Sequence, residues 1–247
     1  MTKSLIFAHR GANREAAENT CSAFDKALEY AIDGMETDVQ LSRDEVAVLW
    51  HDRFLNKVGL PDRHIDDFDY AQLRAMNFAA HFSSGAKPEG IMTLQAFLDA
   101  YRKRCRLLLE IKNRAWESSS RHEIKVRQTL EMIGAVHGDA IMVSSFNLAS
   151  LVYAHQCAPK FPLIYNLEPE QTLEDVQRVL AKQSFLHGLC LPIESLDDAI
   201  VRLLRSHDKC IAVYTCNSDA EINKALKFGV DILISDLPQK ALLMRDK

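Results

Sequence analysis

The 247-residue sequence predicts an α/β fold, a (β/α)8 barrel, from three observations. Eight short apolar runs recur along the chain, each followed by a stretch with helical spacing. Runs such as Leu107-Leu108-Leu109 are apolar on both faces, as strands of a buried parallel sheet must be. Eight such units in about 250 residues is also the size of one barrel domain. An open doubly wound sheet is the alternative, but the Gly-rich turn it usually carries after its first strand is missing.

The first strand covers 5–8. Asn19-Thr20 then opens a helix in which Ala23, Phe24, Ala27, Leu28 and Ala31 keep three-and-four spacing, closed by Asp33-Gly34. A strand at 35–39, a polar turn at 42–45 and a returning arm at 46–50 follow. If the hairpin folds symmetrically about that turn, Leu41 lies opposite Val46 and Glu36 opposite His51. The chain from 53 to 90 is irregular, with Pro61, Gly85, Pro88 and Gly90 and a weakly helical piece at 70–76. Its apolar content is too low for a core of its own. Residues 41–92 therefore read as an insertion between the second and third barrel strands of a single domain, 1–247. Thr93 caps a helix running to about residue 103. Strands at 107–112, 140–143, 163–165, 188–191, 210–214 and 231–234 then alternate with helices at 121–135, 147–157, 172–183, 196–206 and 218–228. Gly229 stands where a glycine ends a helix, and a short helix closes the chain.

Composition removes several classes of function. A net charge of −4 gives no basic patch for nucleic acid. No apolar run approaches the roughly 18 residues that span a bilayer, so no stable membrane association is expected. The apolar run before His9 is too short for a secretion signal, which predicts a cytoplasmic protein. Six cysteines occur singly with no C-x-x-C pair, and read as small buried hydrophobes rather than zinc ligands or a disulfide framework.

In a barrel the C-terminal ends of the strands face the reactive centre. Those positions hold His9-Arg10, then Glu36 and Asp38, then Glu110 and Lys112, and then Ser144-Ser145-Phe146. Asn166, Pro192, Thr215-Cys216-Asn217 and Ser235-Asp236 follow. Glu36 and Asp38, two apart on a strand, point the same way. Three acids facing one region repel unless a cation neutralises them, and oxygen ligands without cysteine point to Mg²⁺ or Ca²⁺, with Mn²⁺ possible in the same donor set. Arg10 and Lys112 at the same rim suit an anionic substrate, for which phosphate is the natural candidate. His9 and His51 supply two imidazoles, enough for one acid and one base in a displacement at phosphorus. Singly, each signal has a bland counterpart. A lone Glu-x-Asp is more often a solvated strand face, a Glu-x-Lys a surface ion pair, and Gly11 a plain turn glycine. Histidines such as His64, His122, His137 and His207 read as solvent-facing. The coincidence at one end of one barrel separates the chosen residues from these.

The order and spacing of these motifs resemble the glycerophosphodiester phosphodiesterase family, in its short cytosolic bacterial form, over essentially the whole chain. The motifs are His9-Arg10-Gly11, Glu18-Asn19-Thr20, Glu36-x-Asp38, His51-Asp52, Glu110-Ile111-Lys112, Ser144-Ser145-Phe146, Tyr214-Thr215-Cys216-Asn217, Gly229-Val230-Asp231 and Ser235-Asp236. The resemblance implies a phospholipase-C-like TIM barrel in which Glu36, Asp38 and Glu110 bind one divalent cation. It implies that His9 and His51 are the acid–base pair and that Arg10 and Lys112 contact the phosphate. It further implies hydrolysis of glycerophosphocholine, glycerophosphoethanolamine and similar small molecules to sn-glycerol 3-phosphate and an alcohol. The insertion matches a family excursion that covers the glycerol side. Three positions depart from the family pattern: Asp44-Glu45 replaces a turn Asp-Gly, Asn56-Lys57 replaces an arginine, and Met92 replaces a proline.

Three rivals remain on the sequence. A phospholipase-type lyase needs an apolar rim, for which only Trp116, Phe78 and Phe82 are available. A catalytically silent phosphodiester-binding barrel usually lacks a ligand or a histidine, and none is missing. A Schiff-base aldolase would need Lys112 neutral. Oligomeric state, the assignment of acid and base between the histidines, and the choice of nucleophile stay open at this level.

Overall fold

The computed structural model describes residues 3–82, 86–135, 138 and 140–247. β1 (Leu5–His9), α1 (Cys21–Leu28), β2 (Gly34–Leu41) and the short arm β3 (Ala47–Leu49) come first. The excursion carries α2 (Tyr70–Arg74) and leads into α3 (Leu94–Tyr101). Strand and helix then alternate through β4 (Arg106–Ile111), α4 (Ser119–Ile133), β5 (Ile141–Ser145), α5 (Leu148–Cys157), β6 (Leu163–Asn166) and α6 (Leu173–Lys182). The chain finishes with β7 (Gly188–Pro192), α7 (Asp198–Ser206), β8 (Cys210–Tyr214), α8 (Asp219–Phe228), β9 (Ile232–Ser235) and α9 (Pro238–Arg245). The strands are ordered β1-β9-β8-β7-β6-β5-β4-β2, and β1 also pairs with β2, closing a parallel eight-stranded barrel; β3 adds to β2 antiparallel. The (β/α)8 expectation holds, strand by strand.

Alternation along each strand divides its side chains between lumen and helix layer. Phe7, Leu108, Met142, Ile164, Cys190 and Ala212 pack together inside the barrel. Ile6, Ala8, Met35, Val39, Leu107 and Leu109 belong to the larger core beneath the helices. Two residues further along the lumen face stand His9, Glu110, Ser144, Asn166 and Tyr214. One alternation therefore builds both an apolar floor and a polar upper layer. The floor is filled by the Phe7 ring, beside which Gly34 is paired; a Cβ at Gly34 would lie 2.5 Å from that ring. Two helix signals behave as read, since the Thr93 side chain accepts from the Ala96 amide and Gly229 takes a left-handed φ of 62° after α8, but α1 ends at Leu28, short of Ala31, and Gly34 already belongs to β2.

Several details differ from the sequence reading. The hairpin pairs Leu41 with Ala47 and Val39 with Leu49, so it is shifted by one residue from the symmetric register. The loop holds three residues rather than four: the Ser42 amide bonds the Val46 carbonyl at 3.0 Å, and Glu45 adopts a left-handed φ of 62°. This is the three-residue hairpin with a left-handed third position, entered here without glycine. Glu36 is consequently not opposite His51. The excursion also gathers a small apolar cluster of its own around Trp50, Leu55, Ile65, Leu73 and Phe78, with Trp50 and Phe78 edge to face at 5.2 Å. Of the cysteines only Cys190 and Cys216 are buried, while Cys21 and Cys157 are exposed. His64 and His122 are half-buried, and His64 stacks between Phe54 and Trp116; His207 is exposed, and His137 lies outside the described residues. Gly85 likewise lies outside them. Among the described residues no helix is long and apolar enough to cross a membrane.

Candidate active site

Six of the seven residues singled out from the sequence line one cavity of about 220 Å³ at the C-terminal end of the barrel: His9, Arg10, Glu36, His51, Glu110 and Lys112. Asp38 is fully buried directly behind them. The β2–β4 register sets Asp38 beside Glu110, and the β1–β2 register sets His9 beside Glu36. One ligand atom from each of Glu36, Asp38 and Glu110 fits within a span of 4.8 Å. Phe146 and Tyr214, edge to face at 6.0 Å, form an apolar wall of the same cavity.

The charges are arranged in alternation. Asp38 lies 3.1 Å from Arg10 Nε and 3.0 Å from Lys112 Nζ, and accepts from Asn19 Nδ2 at 3.0 Å. Lys112 Nζ also meets Glu110 at 2.5 Å. Burial raises the Asp38 carboxyl, but Lys112 and Arg10 outweigh it and hold the group well below the usual range. Glu36 goes the other way: burial and the neighbouring Asp38 push it well above. Its Oε2 is buried with no hydrogen-bond donor among the described residues. Burial opposes the charge on Lys112, yet Asp38 and Glu110 raise its pKa, so the amine stays protonated and cannot attack a carbonyl. That weighs against the aldolase reading. The apolar rim demanded by a membrane lyase is weakened too, because Phe78 is buried inside the excursion.

Both imidazoles have a carboxylate on Nδ1. His9 Nδ1 lies 2.6 Å from Asp236, which also accepts from Asn13, Arg14 and Asn217. Burial and Arg10 lower the His9 pKa, against the pull of Asp236. Burial pushes the Asp236 carboxyl up, but the hydrogen bond to His9 and its charge outweigh this and hold it well below the usual range. His51 Nδ1 lies 2.9 Å from Asp52. With each Nδ1–H donated to its carboxylate, Nε2 is left to the cavity, and His9 Nε2 stands 3.9 Å from Glu36.

The sequence reading gave no role to the residues that hold these groups. Asn19 bridges Asp38 and the Thr37 hydroxyl, and Glu18 pairs with Arg10 at 3.1 Å. Arg10 and Asn19 both take left-handed φ, near 56° and 57°, and the Asn19 amide bonds the Arg10 carbonyl. This closes the loop that returns Glu18-Asn19 to the arginine. Gly11, read as a turn glycine, has φ +84° and packs so close to α1 that a Cβ would lie 2.5 Å from Ala23. The return to His51 is clamped by side chains. Arg114 bonds the carbonyls of His51 at 2.5 Å and Asp52 at 3.1 Å, and Gln40 bonds those of Trp50 at 2.6 Å and Asp52 at 3.2 Å. Strand alternation places Asp236 two residues beyond Ile234 on the lumen face, a signal available in the sequence; Arg114, in a loop, offers none.

Fold and site together define a TIM-barrel enzyme that sets paired imidazoles, clustered carboxylates and two cations at the strand ends. The sequence profile of the glycerophosphoryl diester phosphodiesterase family matches residues 9–240, and the chain belongs to that family, whose members are phosphoric diester hydrolases. It is 27% identical over 250 residues to a Bacillus altitudinis protein named glycerophosphodiester phosphodiesterase, covering all of this chain and 99% of that one. A Thermotoga maritima glycerophosphodiester phosphodiesterase of known structure is 25% identical, with a TM-score of 0.78 over 99% of both chains. An Oleispira antarctica phosphodiesterase, solved with its product sn-glycerol-3-phosphate, matches at a TM-score of 0.87 and 24% identity over 99% of this chain and 98% of that one.

Proposed function

We propose that this chain hydrolyses glycerophosphodiesters to sn-glycerol 3-phosphate and an alcohol, with His9 and His51 as the acid–base pair. The observation that carries the proposal is the pairing of each Nδ1 with a carboxylate beside one cavity that also holds Arg10 and Lys112. One imidazole Nε2 removes the proton of the nucleophile, a water molecule or the glycerol 2-hydroxyl, while the other protonates the departing alkoxide; in the second case water then opens the cyclic phosphate to sn-glycerol 3-phosphate. Arg10 and Lys112 bind the phosphate oxygens, and the Phe146–Tyr214 wall suits the carbon skeleton of glycerol. The same names borne by the Bacillus altitudinis and Thermotoga maritima relatives, and the product in the Oleispira antarctica structure, support the substrate class. Residues 41–92 act within this reading as an insertion of the one domain that covers the glycerol side.

A divalent cation fits Glu36, Asp38 and Glu110. The ligand atoms are all hard oxygens, Glu36 Oε2 has no hydrogen-bond donor among the described residues, and its raised pKa marks surplus negative charge in a buried place. When bound there, such a cation supplies Lewis acidity towards a phosphoryl oxygen and lowers the pKa of a nearby hydroxyl.

The test is alcohol release from a panel of glycerophosphodiesters by the chelated protein, reloaded with Mg²⁺, Ca²⁺ or Mn²⁺. Activity is expected only in the reloaded samples, and His9→Ala or His51→Ala should lower kcat by ~10²–10⁴-fold. A loss under about tenfold for both histidine variants would sink the acid–base assignment. Full activity in chelator would sink the cation.

A further inference from the structure

Lys57 lies outside the catalytic cavity, on the single helical turn Asn56–Val58 of the excursion. Its ammonium stands 2.6 Å from Glu18 Oε1 and 3.0 Å from Asp52 Oδ2, with the Trp50 ring centre 5.9 Å away. The remaining oxygens of those two carboxylates face the site. Glu18 Oε2 accepts from Arg10 at 3.1 Å, and Asp52 Oδ1 meets His51 Nδ1 at 2.9 Å. Glu18, His51 and Asp52 bring one ligand atom each within 4.8 Å of one another, a grouping that places two like charges side by side. Without a cation between them the carboxylates would repel and Asp52 would swing away from the imidazole.

We propose that Lys57 is a positioning residue, a built-in cation that holds Asp52 on His51 Nδ1 and, through Glu18, fastens the excursion to Arg10 in the barrel. The proposal rests on the reading of His51 as one of the two acid–base groups. Burial opposes the charge on Lys57, but Glu18 and Asp52 outweigh it and raise its pKa, so the ammonium persists across the working range. Lys57, Arg10, Glu18 and His81 line an open cavity of about 550 Å³. A small alkylammonium ion can therefore reach the place that a truncated side chain leaves.

The experiment compares Lys57→Ala and Lys57→Arg in the full chain, each with and without ethylammonium chloride. Two readouts are taken: steady-state hydrolysis, and the proton resonance of His51 Nδ1–H without substrate. Lys57→Ala should lower kcat about 10–100-fold, the range a misplaced catalytic group costs, with KM moved by less than about threefold. Ethylammonium should recover most of that loss, whereas sodium chloride at equal ionic strength should not. Lys57→Arg keeps the charge and should stay within about fivefold of the parent. The His51 resonance should be lost to solvent exchange in Lys57→Ala and return with ethylammonium. An unmoved resonance in Lys57→Ala overturns the proposal, as does a Lys57→Arg variant as impaired as Lys57→Ala with no recovery by ammonium. Because the resonance is read without substrate, it reports on Lys57 even if the phosphodiesterase reading fails.

Discussion

His9 stands at the end of a barrel strand, whereas His51 stands on the arm that returns from the excursion. Their local chemistry is alike, an Nδ1–carboxylate pair with Nε2 left to the cavity, but their supports differ in kind. The His9 backbone belongs to the sheet, and its carboxylate partner comes from 227 positions away, at the end of the neighbouring strand. Asp236 is itself held by three further donors. The partner of His51 is the next residue, the strand stops at Leu49, one further backbone bond joins the Trp50 amide to the Asp38 carbonyl, and the carbonyls of Trp50, His51 and Asp52 are held by the side chains of Gln40 and Arg114. The barrel therefore positions one imidazole as part of its own hydrogen-bonded frame, whereas a few replaceable side chains position the other.

Asp236→Asn should cost most. Its amide nitrogen would face the donors of either His9 and Asn13 or Arg14 and Asn217, and kcat should fall about 10²–10⁴-fold through loss of the tautomer. Asp52→Asn should cost roughly tenfold less, because Asp52 is more exposed and water can replace part of its role. Equal losses in steady-state assays of the two variants would break the comparison. Next in size, Arg114→Ala should lower kcat about tenfold by loosening the carbonyls of His51 and Asp52, with a stability loss of about 1–3 kcal/mol in urea. An unchanged kcat would show that the arm holds His51 without the clamp.

The smallest effect is on acid stability. Burial raises the Asp52 carboxyl, but the hydrogen bonds from His51 and Lys57 outweigh it and bring it from 3.8 down to about 2. A folded-state pKa below the unfolded value stabilises the fold above about pH 4, and that stability is lost as pH falls through about 2. After discounting for solvent screening, the contribution is on the order of 1 kcal/mol. Denaturant midpoints between pH 5 and 2 should fall less steeply for Asp52→Asn than for the parent. Parallel curves would mean that Asp52 gains nothing from its partners.

Much of this arrangement was legible in the chain. Strand periodicity places Glu36 with Asp38, and Glu110 with Lys112, on the lumen face. Barrel closure made their common end a likeness of position rather than a guess about each residue. The register of the hairpin was not legible, since it turned on whether Glu45 could take a left-handed φ that composition does not announce. Nor was the position of His51, because the contacts that fix it come from Arg114 and Gln40, remote in sequence and without a spacing rule. The excursion's cluster around Trp50 was missed for a similar reason: its members are scattered over 48–91 with no regular period.

By itself, the sequence determined the barrel and the face on which each strand-borne group lies, because alternation is a local property of extended backbone. Tertiary structure alone decided which charges meet. Asp236 reaches His9, Arg114 reaches the His51 carbonyl, and Lys57 reaches both Glu18 and Asp52 only after the barrel has closed and the excursion has folded back over its rim. Electrostatic pairing acts over a few ångströms in space, and separation along the chain carries no record of it.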